Sequence, residues 1–285
     1  MNPELKRQWD EEGYIVVKRL FDPERTAKLR LICENILARW RVDRPATGES
    51  GTGIDGTSMR HLNHPGYFGK HPEWFPELMN AVADAKVIET CRTILGEQPL
   101  FRCTSLFMNP IVKSEDGNWH RDTQFGAQGD DEAEKKKLAR FESNGIQLQV
   151  ALVPSEDIEY VPRSHLRWDT PAEYAIRLAD GQKHNRSNRM PGAVRLPLEA
   201  GDAAAFNPNG LHRGRYHADK LRRTLMLTYT RTSMPYFDFF SNQPWFLQPG
   251  HLDPLPPATR AFFEPFVAEY RRHWEAPKPE LAAAY

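Results

Sequence analysis

The chain is poor in everything that would mark a disulfide scaffold, a membrane protein or a polyanion binder. Its 285 residues hold three cysteines, Cys33, Cys91 and Cys103, odd in number and far apart. No Cys-x-x-Cys pair offers a zinc or thiol-redox site, so the three read as small buried hydrophobes in a reducing compartment. Neither charge is in excess, since 38 Lys+Arg stand against 38 Asp+Glu. That balance leaves no basic face for nucleic acid or an anionic membrane. No apolar run approaches the ~20 residues of a membrane-spanning helix. The opening MNPELKRQWDEEGY has no apolar signal core. The expectation is a soluble, cytoplasmic protein without a nucleic-acid or membrane partner. Repeats and low-complexity tracts are missing too, and 23 Pro are too many for a long helical bundle.

What is present comes in a definite order. Pro3 to Glu12 reads as a short polar helix ended by Gly13, and Tyr14-Ile15-Val16-Val17 as a strand. Asp22-Pro23-Glu24 starts a helix whose periodicity runs to Trp40 through Leu29, Ile32, Ile36 and Leu37. Residues 41–60, rich in Gly, Thr, Ser and Asp, read as loop, and Pro76 to Leu95 as helix up to Gly96. Strand patterns then take over at Leu100 to Met108, Ile146 to Val153, Val194 to Leu198, Ala203 to Phe206 and Thr224 to Tyr229. A charged stretch from Gly129 to Lys137 interrupts them as a solvated helix, with Glu132 and Lys136 spaced to pair. A last helix covers Ala258 to Trp274, with a kink expected at Pro265. With no linker composition anywhere, the reading is one domain, 1–285. It comprises a mostly helical part (1–99), a β core (100–235) and a C-terminal lid and helix (236–285). The class is mainly β, a sandwich or open barrel with helices packed outside, chiefly N-terminal ones.

The stretch Asn118-Trp119-His120-Arg121-Asp122-Thr123-Gln124 raises the question of a metal. His-x-Asp also begins at His217 and His251, and His-x-Glu at His71 and His273, so the tripeptide alone decides nothing. Read as a strand, His120, Asp122 and Gln124 share one face. His217 lies in a polar loop, His251 between prolines, His71 in a turn and His273 in the last helix. The best third ligand is His212, after the apolar run Ala203 to Phe206 and the turn Asn207-Pro208-Asn209-Gly210. Its rival His184 sits in solvated sequence. Two His and a carboxylate form a facial triad, which leaves open positions on Fe(II) for a co-substrate and dioxygen. A 2-oxo acid would also need a cation. Arg223, eleven residues after His212, shares a face with Leu225, Leu227 and Tyr229, taken as the inward set. It is therefore preferred to Arg222 for holding the carboxylate.

These features together resemble the phytanoyl-CoA dioxygenase family of Fe(II)- and 2-oxoglutarate-dependent oxygenases. The resemblance runs from Asp10-Glu11-Glu12-Gly13-Tyr14-Ile15-Val16-Val17 through Trp119-His120-Arg121-Asp122 and Tyr160-Val161-Pro162-Arg163-Ser164-His165. It continues to Gly201-Asp202, His212, Arg223 and Tyr229. It implies a double-stranded β-helix (jelly roll, cupin-like), metal ligands His120, Asp122 and His212, and Arg223 on the co-substrate. It also implies Fe(II), 2-oxoglutarate and O2 as cofactors, with ascorbate as the reductant in vitro. The implied activity is that of a non-haem iron dioxygenase, an oxidoreductase hydroxylating a small-molecule metabolite while 2-oxoglutarate goes to succinate. The alternatives are a non-catalytic jelly-roll binding protein and a cupin enzyme that uses no 2-oxo acid.

Three positions depart from the family pattern. Arg163 replaces the glycine of Pro-Gly-Ser-His, Ser155-Glu156-Asp157 replaces an Asn-Gly turn, and Gly214 stands where a small hydroxyl residue often follows the distal His. Asn109 and Gln149 are therefore the candidates for a second co-substrate contact. Gln124, Arg163 and Trp245 are the candidates for substrate binding. The run from Met234 to Phe240 and Pro244-Trp245-Phe246 reads as an aromatic lid. Such a surround suits a small or mid-sized molecule with a polar or anionic group and an apolar face.

Overall fold

The computed structural model describes residues 3–43, 56–127, 129–140 and 145–276. Helix α1 (Pro3–Glu12) leads into strand β1 (Tyr14–Val17). Between them Gly13 takes φ +80°, a backbone region that disfavours any side chain, and a Cβ there would also press on the His165 ring and the Tyr160 hydroxyl. Helix α2 (Pro23–Asp43) follows, then β2 (Ser58–Arg60). Most of the loop expected over 41–60 lies outside the described residues. The single helix expected over Pro76–Leu95 is two, α3 (Trp74–Val82) and α4 (Ala85–Leu95). The break falls at Asp84, whose carboxylate caps α4 by accepting from the Lys86 amide. The strand β3 (Pro99–Met108) and the helix α5 (Asp131–Ala139) come next. Then follow β4 (Gly145–Ala151), β5 (Ile158–Tyr160), α6 (Pro171–Arg177), the short α7 (Ala179–Gln182), β6 (Val194–Arg195) and β7 (Ala203–Phe206). The chain continues through β8 (His212–Gly214), β9 (Arg223–Arg231) and α8 (Pro257–Glu275), which stays helical through Pro265.

The strands form two antiparallel sheets. The larger has the order β1-β7-β4-β9-β3-β2 and the smaller β6-β5-β8. The architecture is a mixed α/β relative of the double-stranded β-helix rather than a mainly β one. Among the described residues helix outweighs strand, 40% against 19%, and neither sheet closes into a barrel.

The two faces of the larger sheet differ in kind. Ile146, Leu148 and Val150 of β4, and Leu225, Leu227 and Tyr229 of β9, join the main hydrophobic core with residues of α2, α3, α4 and α8. The Tyr229 hydroxyl donates to the Val82 carbonyl at the end of α3, 2.6 Å. The opposite face carries Gln147, Gln149, Met226 and Thr228 and borders a cavity. Where the two sheets meet, Ile158 and Tyr160 of β5 pack with Ala204 and Phe206 of β7. The helices thus cover the oily side of the sheet, and the polar side is turned inward, between the sheets.

Candidate metal centre

Residues 118–122 do not extend as a strand. His120 makes one isolated bridge with His212, and the two exchange both backbone bonds: the His120 amide donates to the His212 carbonyl at 3.1 Å and the reverse bond is 3.0 Å. The chain then turns into a 3-10 helix over Asp122–Gln124. The Asp122 amide donates to the Pro208 carbonyl at 2.9 Å, so the carboxylate is tied to the turn before β8. Arg121, between the two ligand positions, points the other way into complete burial. It donates to Asp169 Oδ1 (2.8 and 3.0 Å), to the Ser164 carbonyl (2.6 Å) and to the Asn209 carbonyl (2.7 Å). Residues from opposite ends of this constellation are thereby locked to one another.

The side chains of His120, Asp122 and His212 converge, with one ligand atom from each lying within 4.8 Å of the others. Asp122 Oδ1 is 3.6 Å from the Nε2 of both histidines. His120 Nδ1 lies 2.7 Å from the Asn118 carbonyl and His212 Nδ1 2.9 Å from the Gly210 carbonyl. A carbonyl only accepts, so each Nδ1 carries the proton and each Nε2 turns a lone pair to the common centre. Asp122 Oδ2 accepts from Gln147 Nε2 at 2.6 Å, which leaves Oδ1 for a ligand. Burial, and next the nearby His120, push the His212 ring well below its ordinary pKa and keep it neutral. Burial raises the Asp122 carboxyl against the opposing pull of His120, Arg102 and Arg60. Two imidazoles and one carboxylate are a donor set for a divalent cation, and Fe(II) fits it. Among the described residues this is the one such group of three. His184 is exposed, His217 pairs with Asp116 at 3.2 Å, His71 stacks on Trp74, and His273 stacks on Phe237.

Around the triad lies a cavity of about 1260 Å³. Gln124 and Gln149 border it. Gln149 Oε1 is buried without a hydrogen-bond partner, an acceptor left over for a bound molecule. Other expectations need correction. Arg223 does not line the cavity; Arg222 does. Arg223 lies on the helix side of β9, where it donates to Glu34 of α2 at 2.8 Å and to Asn109 Oδ1 at 2.8 Å. The Leu/Leu/Tyr face that it shares is indeed core, but the core between sheet and helices. Asn109 is absorbed by these bonds and by the Arg222 amide (3.3 Å), and it is not a lining residue. Arg163 lies outside the cavity as well. It takes φ +65°, the conformation for which a glycine serves best, and its exposed guanidinium pairs with Glu12 of α1 at 2.7 Å. Trp245 is buried behind the cavity, its ring 5.2 Å from that of His61 and 4.8 Å from that of His64. The first half of the expected lid does border the cavity, through Met234, Tyr236, Asp238 and Phe240.

The sequence reading passed over Tyr216 and Glu134. Arg222 lies 4.5 Å over the Tyr216 ring, and a Cβ built on Gly214 would come within 2.7 Å of the Tyr216 hydroxyl and 2.8 Å of Arg222 Nη1. The residue two after the distal His has no side chain because these two groups occupy its space. Helix α5 is more than a solvated face: buried Glu134 receives Arg177 at 2.9 Å and Thr123 at 3.1 Å, beside Asp122. The expected Glu132–Lys136 pair is replaced by Glu132–Lys135, 2.7 Å.

A family model described as phytanoyl-CoA dioxygenase (PhyH) matches residues 9–224. No curated protein matches by sequence. Among solved structures, the chain is similar to EctD from S. alaskensis with 2-oxoglutarate and 5-hydroxyectoine (20% identity, TM-score 0.61, covering 91% of this chain and 86% of that one). It is also similar to the non-heme alpha-ketoglutarate-dependent carbocyclase SnoK from nogalamycin biosynthesis (19%, 0.57, 90% and 92%). A third similar structure is the epimerase SnoN in complex with Fe3+, alpha ketoglutarate and nogalamycin RO (17%, 0.57, 85% and 90%). At these identities the likeness is one of fold.

Proposed function

The chain belongs to the phytanoyl-CoA dioxygenase family, and from that premise we propose that it hydroxylates a small-molecule metabolite with Fe(II), O2 and 2-oxoglutarate. In this reading His120, Asp122 and His212 hold the iron, and Arg222 holds the distal carboxylate of the co-substrate. The observation that carries it is the converged triad, its histidines oriented by backbone carbonyls and its carboxylate by Gln147. Bound iron and 2-oxoglutarate supply the oxidising chemistry, with loss of carbon dioxide and release of succinate. The chain supplies geometry and the exclusion of water.

Arg222 is suited to its part by position and by company. It is buried on the cavity side, its Nη1 is steadied by the Arg215 carbonyl at 2.9 Å, and Tyr216 offers a hydroxyl beside it. A guanidinium fork and a phenol together can receive a carboxylate. Gln149, with its unpaired amide oxygen facing the same space, is the second candidate contact.

The test is succinate release and oxygen uptake with Fe(II), ascorbate and 2-oxoglutarate over a panel of metabolites. Product mass then decides the outcome on the substrate. Hydroxylation adds one oxygen atom, epimerisation leaves the mass unchanged, and ring closure removes two hydrogens. Succinate release that stays at background with every metabolite of the panel would sink the proposal.

A further inference from the structure

The walls of the cavity carry more positive charge than the co-substrate requires. Besides Arg222, the lining includes Arg60, Arg102, Lys137, Arg140 and Arg213, against the carboxylates of Asp122 and Asp238. Arg102 pairs with Asp238, and Arg213 with Glu159. Arg60, Lys137 and Arg140 have no acidic partner among the described residues.

Of these three, Arg60 is set deepest. It leaves β2 on the cavity side with Ser58, while Met59 between them enters the helix-side core. Its guanidinium carbon is 5.4 Å from the centre of the Phe107 ring and 5.4 Å from that of Phe240, so two aromatic faces hold it in place. Its Nη1 is buried and has no hydrogen-bond partner. A guanidinium does not lose its proton and offers five donors in a fixed plane. A buried donor left idle on such a group is costly unless something arrives to receive it. Arg222 cannot meet that need, because it is a cation itself, and 2-oxoglutarate on Arg222 already uses its own distal charge there.

We propose that Arg60 is the specificity residue for the prime substrate, and that this substrate is an organic anion with an apolar, ring-bearing body. The anionic group sits on Arg60. The body lies along Phe107 and Phe240, and Lys137 and Arg140 add attraction from the side of α5. This rests on the oxygenase reading above and narrows the panel of metabolites that should be screened first.

The test uses the full chain loaded with Mn(II) and saturated with 2-oxoglutarate, so that the co-substrate site is filled. Two fluorescent probes of nearly the same shape are titrated: 1-anilinonaphthalene-8-sulfonate, which carries an anion, and N-phenyl-1-naphthylamine, which does not. In the Arg60→Gln protein the anionic probe should bind at least tenfold more weakly than in the unaltered protein. The neutral probe and 2-oxoglutarate should bind as before. Arg271→Gln, on the exposed side of α8, should change none of the three. Equal affinity of the anionic probe in the Arg60→Gln and unaltered proteins would overturn the proposal. Loss of 2-oxoglutarate binding in Arg60→Gln would also overturn it, by assigning Arg60 to the co-substrate. Failure of 2-oxoglutarate to bind the unaltered protein would instead defeat the oxygenase reading and leave the comparison of probes standing.

Discussion

The two histidines of the triad are oriented by backbone carbonyls and Asp122 by the Gln147 side chain. His120→Ala and His212→Ala should each abolish succinate formation and weaken Fe(II) binding by two orders of magnitude or more, because a facial site has no spare ligand. His184→Ala and His217→Ala should leave both nearly intact; isothermal titration with Mn(II) reads the difference. Arg222→Ala should raise the 2-oxoglutarate requirement by about a hundredfold, the loss of a charge-assisted pair of some 3 kcal/mol. Arg223→Ala should spare that requirement and lower the melting temperature instead, since it strips Glu34 of its partner. The histidines and Asp122 were legible in the sequence because residue type, spacing and resemblance agreed on them. Which arginine faces the cavity was not. Alternation separates the two faces of β9 but does not say which one looks at the cavity, and every residue from Arg223 to Thr230 is buried. The usual inference, apolar side inward, fails where a sheet has helices on its oily side and a wet site on the other.

At the scale of elements, strands and helices were read with fair boundaries, because they rest on local periodicity. What they touch was not, because that is set by partners far along the chain. Helix α5 is an example. Its sequence is that of a solvated helix, yet Glu134 closes a buried chain from Arg177 through Asp169 to Arg121. Glu134→Ala should cost about 2 kcal/mol by removing a charged acceptor from Arg177. It should also loosen the segment that carries Asp122, so that metal affinity and denaturant midpoint fall together. The segment after β9 makes a second case. His61, packed against Trp245 and Phe239, is held down to about pKa 4 by burial. Unfolded, the same ring would titrate near 6.5, so the unfolded chain binds an extra proton between those values. Stability from His61 is therefore full above pH 6.5 and lost as pH falls toward 4, with a slope of at most about 1.4 kcal/mol per pH unit. Denaturant melts from pH 7 to 4.5 should be steeper in pH for the unaltered protein than for His61→Phe. Parallel curves would show that the ring is already charged in the fold.

The whole molecule should answer to its ligands. Mn(II) with 2-oxoglutarate, each at a hundred times its dissociation constant, should stabilise the chain by about 2.7 kcal/mol per site, and a chelator should reverse the gain. The division of the larger sheet into a helix-covered face and a cavity face reaches further, into how such a protein can change over generations. Most of the cohesion of β4 and β9 lies on one side, in Ile146, Leu148, Val150, Leu225, Leu227 and Tyr229. In the proposed reading the choice of substrate lies on the other. Mutation can therefore sample one without disturbing the other. Leu227→Ala should cost about 2–5 kcal/mol as a cavity in a packed core. Thr228→Ala, one residue on but facing the cavity, should cost less than about 1 kcal/mol and show itself in which molecules bind. A chain built this way can change what it binds while its backbone stays put, and structures sharing a fifth of its residues or fewer have a similar fold.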